Sequence, residues 1–431
     1  MTKRIALLGA TGNIGSQVLS LQKDLDLSFP LISFRNNLER ACHIIEEVCP
    51  AYIYLHDPTE AKVQDLREAL EKLTGTMKSE TWPPSILTRP QDLEEVFSQE
   101  AFDRVVVASS GFASLAPLWA AIQGKKDLVL VNKEALVGAG DILLQEAKAQ
   151  GVQIFPADSE HSAIWQCLQG ERMDQVKRLW ITASGGPFLH GYPTTMSQIT
   201  PAQAAKHPRW KMGQKISIDS ATMINKGLEV LEACRLFDLP EDRISVIVHP
   251  ESEVHSLVEF NDGTFKAQLN APDMCLPLAL AITWPERAVL SPAPSLGSGA
   301  GEGVNGTGLA GGSESPFFPF QSLSFQPLPE HLRQPIHMAR EAIRRGKAAP
   351  AVFNAADEAC VAYFQAGAIS FAEIIPTIRQ TLSYFLQHDE KELLAAYEGK
   401  KDPVWEYLPE ALADRWKAAL WAKDFVRQLI V

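Results

Sequence analysis

Residues 4–15 have the sequence Arg-Ile-Ala-Leu-Leu-Gly-Ala-Thr-Gly-Asn-Ile-Gly, an apolar run followed by a glycine-rich turn. An uninterrupted apolar run is typical of a strand that is buried on both faces of a parallel sheet. Glycines at positions 9, 12 and 15 let the backbone approach a pyrophosphate, whose charge the next helix N-terminus stabilises. The stretch predicts a dinucleotide-binding βα unit, although a turn of this kind also occurs as a simple tight connection.

Further apolar segments alternate with helical patterns along the chain, at residues 31–34, 52–55, 105–108 and 128–131. Strands that alternate with helices predict an α/β, Rossmann-like, doubly wound parallel sheet, which we assign to an NADPH-binding domain at residues 1–150. Residues 151–290 mix strand and helix patterns and predict an α+β catalytic domain that holds metal, substrate and a lid. Residues 291–329 are rich in Gly, Ser and Pro and predict a linker. Residues 330–431 predict a C-terminal helical bundle.

Composition restricts the class of protein and of partner. The chain has 431 residues and a net charge of −12. This length predicts two or three domains. The negative charge disfavours nucleic acid and anionic membrane as partners, since both require a basic surface. Because the cysteines form no Cys-x-x-Cys pair and the glycine turn begins at Gly9, we expect free thiols, no targeting segment and a cytoplasmic protein.

The residues after two predicted strands bear on the cofactor. A carboxylate after the second strand would hold the ribose 2′-hydroxyl of NADH, but the sequence there is Arg35-Asn36-Asn37. Arginine without a nearer acid fits a 2′-phosphate, so NADPH is favoured, although a solvated surface role suits Arg35 equally well. Asn132-Lys133-Glu134 follow the strand at 128–131, where ligands of parallel sheets bind. Charged residues after a strand also form solvated loops, so position alone does not decide their role.

Three carboxylates in the second region predict a metal site. Asp158 and Glu160 are two residues apart, which in extended chain places both on one side. Glu229 shares a helical face with Asn225 and Lys226. Oxygen-rich sets of this kind suit Mg²⁺ or Mn²⁺, whereas any one carboxylate alone is more often a surface charge. Several neighbours could bind an oxyanion, namely Ser159, Ser184, His207, Ser220, Asn225 and Lys226.

Two glycine-containing segments complete the predicted site. Ser184-Gly185-Gly186 is similar to a backbone nest for phosphate. Residues 207–213 combine Trp210 with Gly213, which suits a lid that closes over a substrate; a surface loop with a buried tryptophan is the alternative. Together the segments predict an enzyme that uses a metal ion, a phosphorylated substrate and a nicotinamide cofactor.

These motifs resemble those of the 1-deoxy-D-xylulose 5-phosphate reductoisomerase family, NADPH- and metal-dependent enzymes of the non-mevalonate isoprenoid pathway. The resemblance implies rearrangement and reduction of 1-deoxy-D-xylulose 5-phosphate to 2-C-methyl-D-erythritol 4-phosphate, with Mg, Mn or Co as the divalent ion. It also implies a homodimer of three-domain subunits whose last domain is a helical bundle. The matching stretches are residues 9–15, 132–134, 158–164, 184–188, 207–213, 215–229, 249–256 and 272–274.

The resemblance assigns roles to individual residues. Metal ligands would be Asp158, Glu160 and Glu229, and catalytic residues Lys133, Glu160 and Glu229. The substrate phosphate would bind Ser184, Ser220, Asn225 and Lys226 with His207 beside it. Ser159 and Lys133 would contact the hydroxyl and keto groups, and Trp210 and Met212 would lie on the lid. With the turn and strand-end residues above, the expected NADPH contacts are Gly9, Thr11, Gly12, Asn13, Ile14, Arg35, Asn36, Asn132, Glu134 and Gly213.

The sequence departs from the family pattern at Phe34, where Gly is usual, at Leu189, where Arg is common, and at Asp357, where Asn is usual. Residues 295–315 form an insertion. Alternatives are a reductase of the aspartate-semialdehyde type, which needs a catalytic cysteine in a suitable motif, and a sugar-nucleotide reductase, which needs a Tyr-x-x-x-Lys motif that residues 151–290 lack. A non-catalytic NADPH sensor is a third alternative, but sensing does not require three carboxylates.

Overall fold

The computed structural model describes residues 2–74, 82–193, 195–208, 210, 212–291, 322–397 and 402–430. The predicted insertion at 295–315 lies outside these residues, as do Arg209 and Lys211 of the predicted lid. Among the described residues, no helix is both long enough and apolar enough to cross a membrane.

The N-terminal half is built on a seven-stranded parallel sheet, which confirms the predicted Rossmann-like fold. The strand order is β4-β3-β2-β1-β5-β6-β7, so the winding direction reverses between β1 and β5, where ligands of such sheets bind. The strands are β1 Lys3–Leu8, β2 Leu27–Phe34, β3 Tyr52–Leu55, β4 Ser85–Leu87, β5 Arg104–Val107, β6 Leu128–Leu130 and β7 Ile154–Pro156. The helices that cover it are α1 Asn13–Ser20, α2 Leu38–Val48, α3 Glu60–Leu73, α4 Pro90–Gln99, α5 Leu115–Gln123 and α6 Lys133–Gln150.

The first sheet extends beyond residue 150, because β7 pairs with β6. A later segment also returns to this sheet. Leu278 and Ile282 of α11, Cys275–Thr283, lie in the same hydrophobic cluster as Val106 and Val129 of β5 and β6. Residues far apart in the sequence therefore share this core.

The second region contains a five-stranded mixed sheet in the order β11-β10-β8-β9-β12. Here β8 and β9 are parallel, whereas β10 is antiparallel to β8. Val230 and Ala233 of α10 pack into one core with Ile181 and Val258 of this sheet. The elements are α7 Ser159–Cys167, β8 Val176–Ala183, α8 Pro201–Ala204, α9 Gln214–Thr222, α10 Ile224–Leu236, β9 Ile244–Val248, β10 Val254–Phe260, β11 Phe265–Leu269 and β12 Gln326–Pro327.

The C-terminal part is helical, as predicted. Phe353 of α13 and Ala418 of α17 are fully buried in a cluster that also contains Phe112 and Leu136 of the N-terminal half. The helical layer therefore packs directly on the elements that follow β5 and β6. Its helices are α12 Gln334–Arg345, α13 Ala349–Gln365, α14 Phe371–Gln387, α15 Glu390–Leu394, α16 Pro403–Tyr407 and α17 Glu410–Ile430.

Candidate active site

A cavity of about 980 Å³ lies at the carboxyl ends of strands from both sheets. Ser109 follows β5, Lys133 follows β6 and Ser184 follows β8, and all three line it. Most of the predicted site residues share this lining: Gly12, Asn13, Ile14, Asn132, Lys133, Glu134, Asp158, Ser159, Glu160, Ser184, His207, Trp210, Gly213, Ser220, Asn225, Lys226 and Glu229.

The three predicted metal ligands converge in this cavity. Oxygens of Asp158, Glu160 and Glu229 lie within 4.8 Å of one another. The expectation of an extended chain at 158–160 is wrong, because Asp158 caps α7 and Glu160 lies in its first turn. The first turn of this helix nevertheless brings both carboxylates to the same side. The predicted helical face of α10 is present, since Asn225 Nδ2 donates to Glu229 Oε1 at 2.5 Å.

Two buried lysines lie among these carboxylates. Lys226 Nζ donates to Glu160 Oε1 at 2.7 Å and to Glu229 Oε2 at 2.5 Å. Lys133 Nζ lies 2.7 Å from Asp158 Oδ2 and donates to Asn225 Oδ1 at 2.8 Å. Burial alone would lower the pKa of Lys133, but the carboxylates of Asp158 and Glu229 raise it well above its ordinary value. The cluster is therefore a dense network of opposite charges, with ammonium groups against the carboxylate oxygens.

The donor set fits a hard divalent cation. It consists of oxygen atoms alone, carries three formal negative charges and is largely shielded from solvent. Burial and then the charge of Glu160 raise the pKa of Glu229, in spite of the ammonium groups of Lys226 and Lys133 beside it. Three carboxylates with few nitrogen ligands are what Mg²⁺ or Mn²⁺ prefers.

A second set of polar groups surrounds the turn after β8. Gly186 has φ +65°, and a Cβ there would lie 2.7 Å from the backbone oxygen of Ser220, so glycine lets the turn approach α9 closely. Ser184 Oγ lies 3.1 Å from His207 Nε2 and accepts from Gly186 N at 3.2 Å. Burial, with the charge of Lys226, lowers the pKa of His207 to about 4, so the ring is neutral. Ser184 and Ser220, the neutral His207 and Lys226 thus line one cavity.

The described part of the predicted lid contacts the site. Trp210 N donates to His207 Nδ1 at 2.9 Å, and the Trp210 ring meets the His255 ring edge-on at a centroid distance of 5.9 Å. Met212 also lines the cavity. Residues 207, 210 and 212 therefore form part of the cavity wall, and His207 contacts Ser184 there.

The glycine turn adopts the close packing expected of a nucleotide-binding loop. A Cβ on Gly15 would lie 2.3 Å from the Gly9 oxygen, so the first turn of α1 packs directly against the loop. Gly9 has φ +94° and donates its N–H to Ser33 Oγ at 2.9 Å. Gly12 precedes α1 and lines the cavity, whereas Gly9 and Thr11 belong to the turn but not to the lining formed by the described residues.

Arg35 and Asn36 lie at the end of β2, outside the lining that the described residues form. The Arg35 guanidinium is 2.5 Å from Asp57 Oδ2, and Asn36 Oδ1 accepts from Lys62 Nζ at 2.9 Å. The sequence shows no acid near Arg35, but the neighbouring strand β3 brings Asp57 beside it. The departure at Phe34 places its ring in the hydrophobic core, where it is 3% exposed.

Asn132 and Glu134 lie at the cavity and also support its wall. Asn132 caps α6, accepts from Ala135 N at 2.9 Å and donates to Ser109 O at 2.8 Å. Glu134 Oε2 accepts from Asn132 Nδ2 at 3.0 Å. These bonds join the end of β5 to the start of α6 beside the glycine turn.

Sequence reasoning missed several residues of the lining. Ser109 and Ser110 follow the predicted strand at 105–108, so the strand-end rule applied to Asn132 could have found them. Ser252, with φ +57°, and Lys215 lie in stretches that resemble the family, but no role was assigned to either residue. Lys215 Nζ lies 2.6 Å from Asp219 and 2.7 Å from Asp357, the position where the family usually has Asn.

Comparison with known proteins agrees with this geometry. Models of 1-deoxy-D-xylulose 5-phosphate reductoisomerase match residues 5–140, and models of its C-terminal domains match residues 154–237 and 269–402. A 1-deoxy-D-xylulose 5-phosphate reductoisomerase from Chlorobaculum tepidum is 36% identical over 99% of this chain and 100% of its own. The enzyme of that name from Thermoanaerobacter pseudethanolicus is 39% identical over 88% of this chain and 92% of its own.

Solved structures agree as well. A DOX-P reductoisomerase in complex with NADPH, fosmidomycin and magnesium has a TM-score of 0.78 and 33% identity, covering 99% of both chains. The enzyme from Zymomonas mobilis in complex with NADPH has a TM-score of 0.76 and 30% identity, covering 100% of this chain and 99% of its own. The chain belongs to the 1-deoxy-D-xylulose 5-phosphate reductoisomerase family.

Proposed function

We propose that this chain rearranges 1-deoxy-D-xylulose 5-phosphate and reduces the product with NADPH, giving 2-C-methyl-D-erythritol 4-phosphate. One observation supports the proposal most strongly. A glycine turn, a three-carboxylate cluster and a set of phosphate-binding groups line one cavity. A reductase that acts on an unphosphorylated substrate without a metal ion would need only the first of these.

The carboxylate cluster is the proposed reaction centre. Asp158, Glu160 and Glu229 would hold the divalent ion, which supplies Lewis-acid stabilisation of the substrate's ketone and hydroxyl oxygens. NADPH supplies the hydride for the reduction. Lys133 carries an ammonium at the edge of the cluster and would donate hydrogen bonds to substrate oxygens on which negative charge develops. Ser159 Oγ, 2.5 Å from Glu160 Oε2, would orient the hydroxyl end of the substrate.

The opposite end of the substrate would be held by its phosphate. We propose Ser184, Ser220, Asn225 and Lys226 as its ligands, with neutral His207 positioning the Ser184 hydroxyl at 3.1 Å. Binding energy from this non-reacting group can orient the carbon skeleton. Trp210, which is hydrogen-bonded to His207, would close over the substrate and keep water from the aldehyde intermediate.

We also propose how the cofactor binds and how the chain assembles. Gly12, Asn13 and Ile14 would contact the NADPH pyrophosphate at the N-terminus of α1. Arg35 would leave Asp57 to bind the 2′-phosphate, with Asn36 beside it. The family resemblance supports a division into an NADPH-binding, a catalytic and a C-terminal helical domain. It also supports a homodimer, which sedimentation analysis would test.

The function is tested by following NADPH absorbance with 1-deoxy-D-xylulose 5-phosphate, with and without Mg²⁺, and with EDTA as a control. We expect oxidation that requires both the sugar phosphate and the ion, and slower oxidation of NADH. Oxidation that persists in EDTA would contradict the role of the carboxylates. Tight NADPH binding without any oxidation would favour the sensor alternative.

A further inference from the structure

Lys226 is assigned to the substrate phosphate, but its two strong contacts are with residues that we assign to the metal ion. It is a proposed phosphate ligand, yet its ammonium lies against Glu160 at 2.7 Å and Glu229 at 2.5 Å, two of the proposed metal ligands. Asn225, a second proposed phosphate ligand, is engaged in the same way. It donates to Glu229 Oε1 at 2.5 Å and accepts from Lys133 Nζ at 2.8 Å. Half of the proposed phosphate set is therefore bound to the carboxylate cluster.

The charges of the cluster oppose phosphate binding in this arrangement. Around the proposed ion, the three carboxylates and two ammonium groups sum to one negative charge, and both ammonium groups already have carboxylate partners. The buried His161–Glu232 pair, on the far side of Asp158, is a separate pair and is left out of this sum. A dianionic phosphate would have to compete with carboxylates 2.5–2.7 Å away for Lys226. A divalent ion bound to the same carboxylates would reverse the sign of the net charge and repel the ammonium from Glu160 and Glu229.

We infer that Lys226 is an exchangeable cation that couples the two ligands, an inference that rests on the proposed function. It neutralises Glu160 and Glu229 until a divalent ion takes its place, and it then turns to the phosphate together with Asn225. The ion and the phosphate group therefore bind with positive cooperativity, although the phosphate need not touch the ion. By linkage, phosphate tightens metal binding by the same factor.

Calorimetry of the full-length protein with ethyl phosphate tests this directly, because this monoester has no ketone or hydroxyl group with which to chelate the ion. Titrations are made without metal and with saturating Mg²⁺, and ethyl phosphate titrated into Mg²⁺ buffer corrects for association in solution. We expect Mg²⁺ to lower the Kd of ethyl phosphate by about tenfold or more. Equal affinity in the two conditions, or no binding in either, would overturn the inference.

Two variants separate exchange of Lys226 from simple attraction between the ion and phosphate. Lys226→Met should lower the coupling factor well below the wild-type value, because only direct attraction between the ion and phosphate remains; if attraction alone causes the coupling, the factor should be unchanged. Lys177→Met is the matched control, because Lys177 pairs with Glu259 near the start of β8, and it should retain the wild-type factor. NADPH oxidation is measured in parallel on the wild-type protein. Turnover of 1-deoxy-D-xylulose 5-phosphate without coupling would refute the exchange and leave the proposed function standing.

Discussion

The ammonium of Lys133 lies 2.7 Å from the carboxylate of Asp158, and both side chains are less than 10% exposed. Lys133 is the first residue of α6 and Asp158 caps α7, so the pair joins the carboxyl ends of the neighbouring strands β6 and β7. Removal of one partner from a buried ion pair leaves an uncompensated charge. The residues of the cluster therefore depend on one another, and substitutions there should preserve shape as far as possible.

Replacement of Glu229 by Gln tests the metal assignment with little change in shape. The variant loses one of three negative charges that would hold the ion, and changes to groups around metal ligands already cost about 10–100-fold in affinity or activity. We expect kcat to fall by at least about 100-fold and the Mg²⁺ requirement to rise, measured by NADPH oxidation across a Mg²⁺ titration. Near-normal turnover at saturating Mg²⁺ would show that Glu229 is not a ligand.

Replacement of Gly186 by Ala tests the turn that holds Ser184. A methyl group there meets the Ser220 oxygen at 2.7 Å, so the turn must move away from α9. We expect the KM for the sugar phosphate to rise about tenfold, corresponding to about 1.4 kcal/mol. Gly170→Ala is the matched control, because Gly170 also has positive φ, +78°, but no described atom lies within 4 Å of its Cβ position. It should cost some stability and leave KM unchanged; a parallel rise in both variants would refute the steric argument.

Asp357 and Asp219 share the single ammonium of Lys215. Burial raises the pKa of Asp357 in spite of Lys215, so ionising this carboxyl costs folding free energy. We expect Asp357→Asn to raise the free energy of unfolding by about 1 kcal/mol at neutral pH, because it removes a buried charge that repels Asp219 while Lys215 keeps Asp219 as its partner. The pKa of Asp357 is higher in the folded protein than in the unfolded one. The free-energy cost of ionising Asp357 is therefore absent below the pKa of an unfolded aspartate and grows as the pH rises above it. Urea unfolding of both proteins at pH 4 and 7 checks this, and a variant less stable at pH 7 would contradict it.

His56 links the pH dependence of stability to the nucleotide-binding turn. Gly9 N–H donates to Ser33 Oγ at 2.9 Å, and Ser33 Oγ lies 2.8 Å from His56 Nε2, so a neutral ring can accept the hydroxyl proton. Burial lowers the pKa of His56 to about 4. The folded pKa lies below the unfolded one, near 6.5, so stability is lost as pH falls between these values. The loss should reach about 3 kcal/mol.

The measurement for His56 is urea unfolding of the wild type and His56→Gln between pH 7 and pH 4. The variant should lose less stability over this range, because glutamine does not titrate there. Identical pH profiles for the two proteins would show that protonation of His56 does not cause the loss of stability.

The parts of the site that follow local periodicity could be predicted from the sequence. The spacing of Asn225, Lys226 and Glu229 places them on one face of a helix, and the structure shows hydrogen bonds along that face. The first parallel sheet followed from the apolar runs that end at Leu8, Leu55 and Val131. In each case, the residues that determine the feature lie within one or two turns or one strand.

The features that depend on tertiary pairing could not be predicted. Strand β7 has only three residues and ends at Pro156, which gave too weak a pattern, and the Lys133–Asp158 pair depends on its register with β6. In the same way, β3 brings Asp57 to Arg35, and α13 brings Asp357 to Lys215. Such contacts are set by strand order and helix packing, on which the local sequence carries no information.

We propose that this chain rearranges the carbon skeleton of its substrate before it reduces it. Carbon and phosphorus NMR of a reaction containing the protein, NADPH, Mg²⁺ and 1-deoxy-D-xylulose 5-phosphate tests it most directly. We predict that branched 2-C-methyl-D-erythritol 4-phosphate forms in an amount equal to the NADPH oxidised, and that EDTA prevents its formation. A linear deoxypentitol phosphate, formed by reduction of the ketone without rearrangement, would show that this chain does not catalyse the rearrangement.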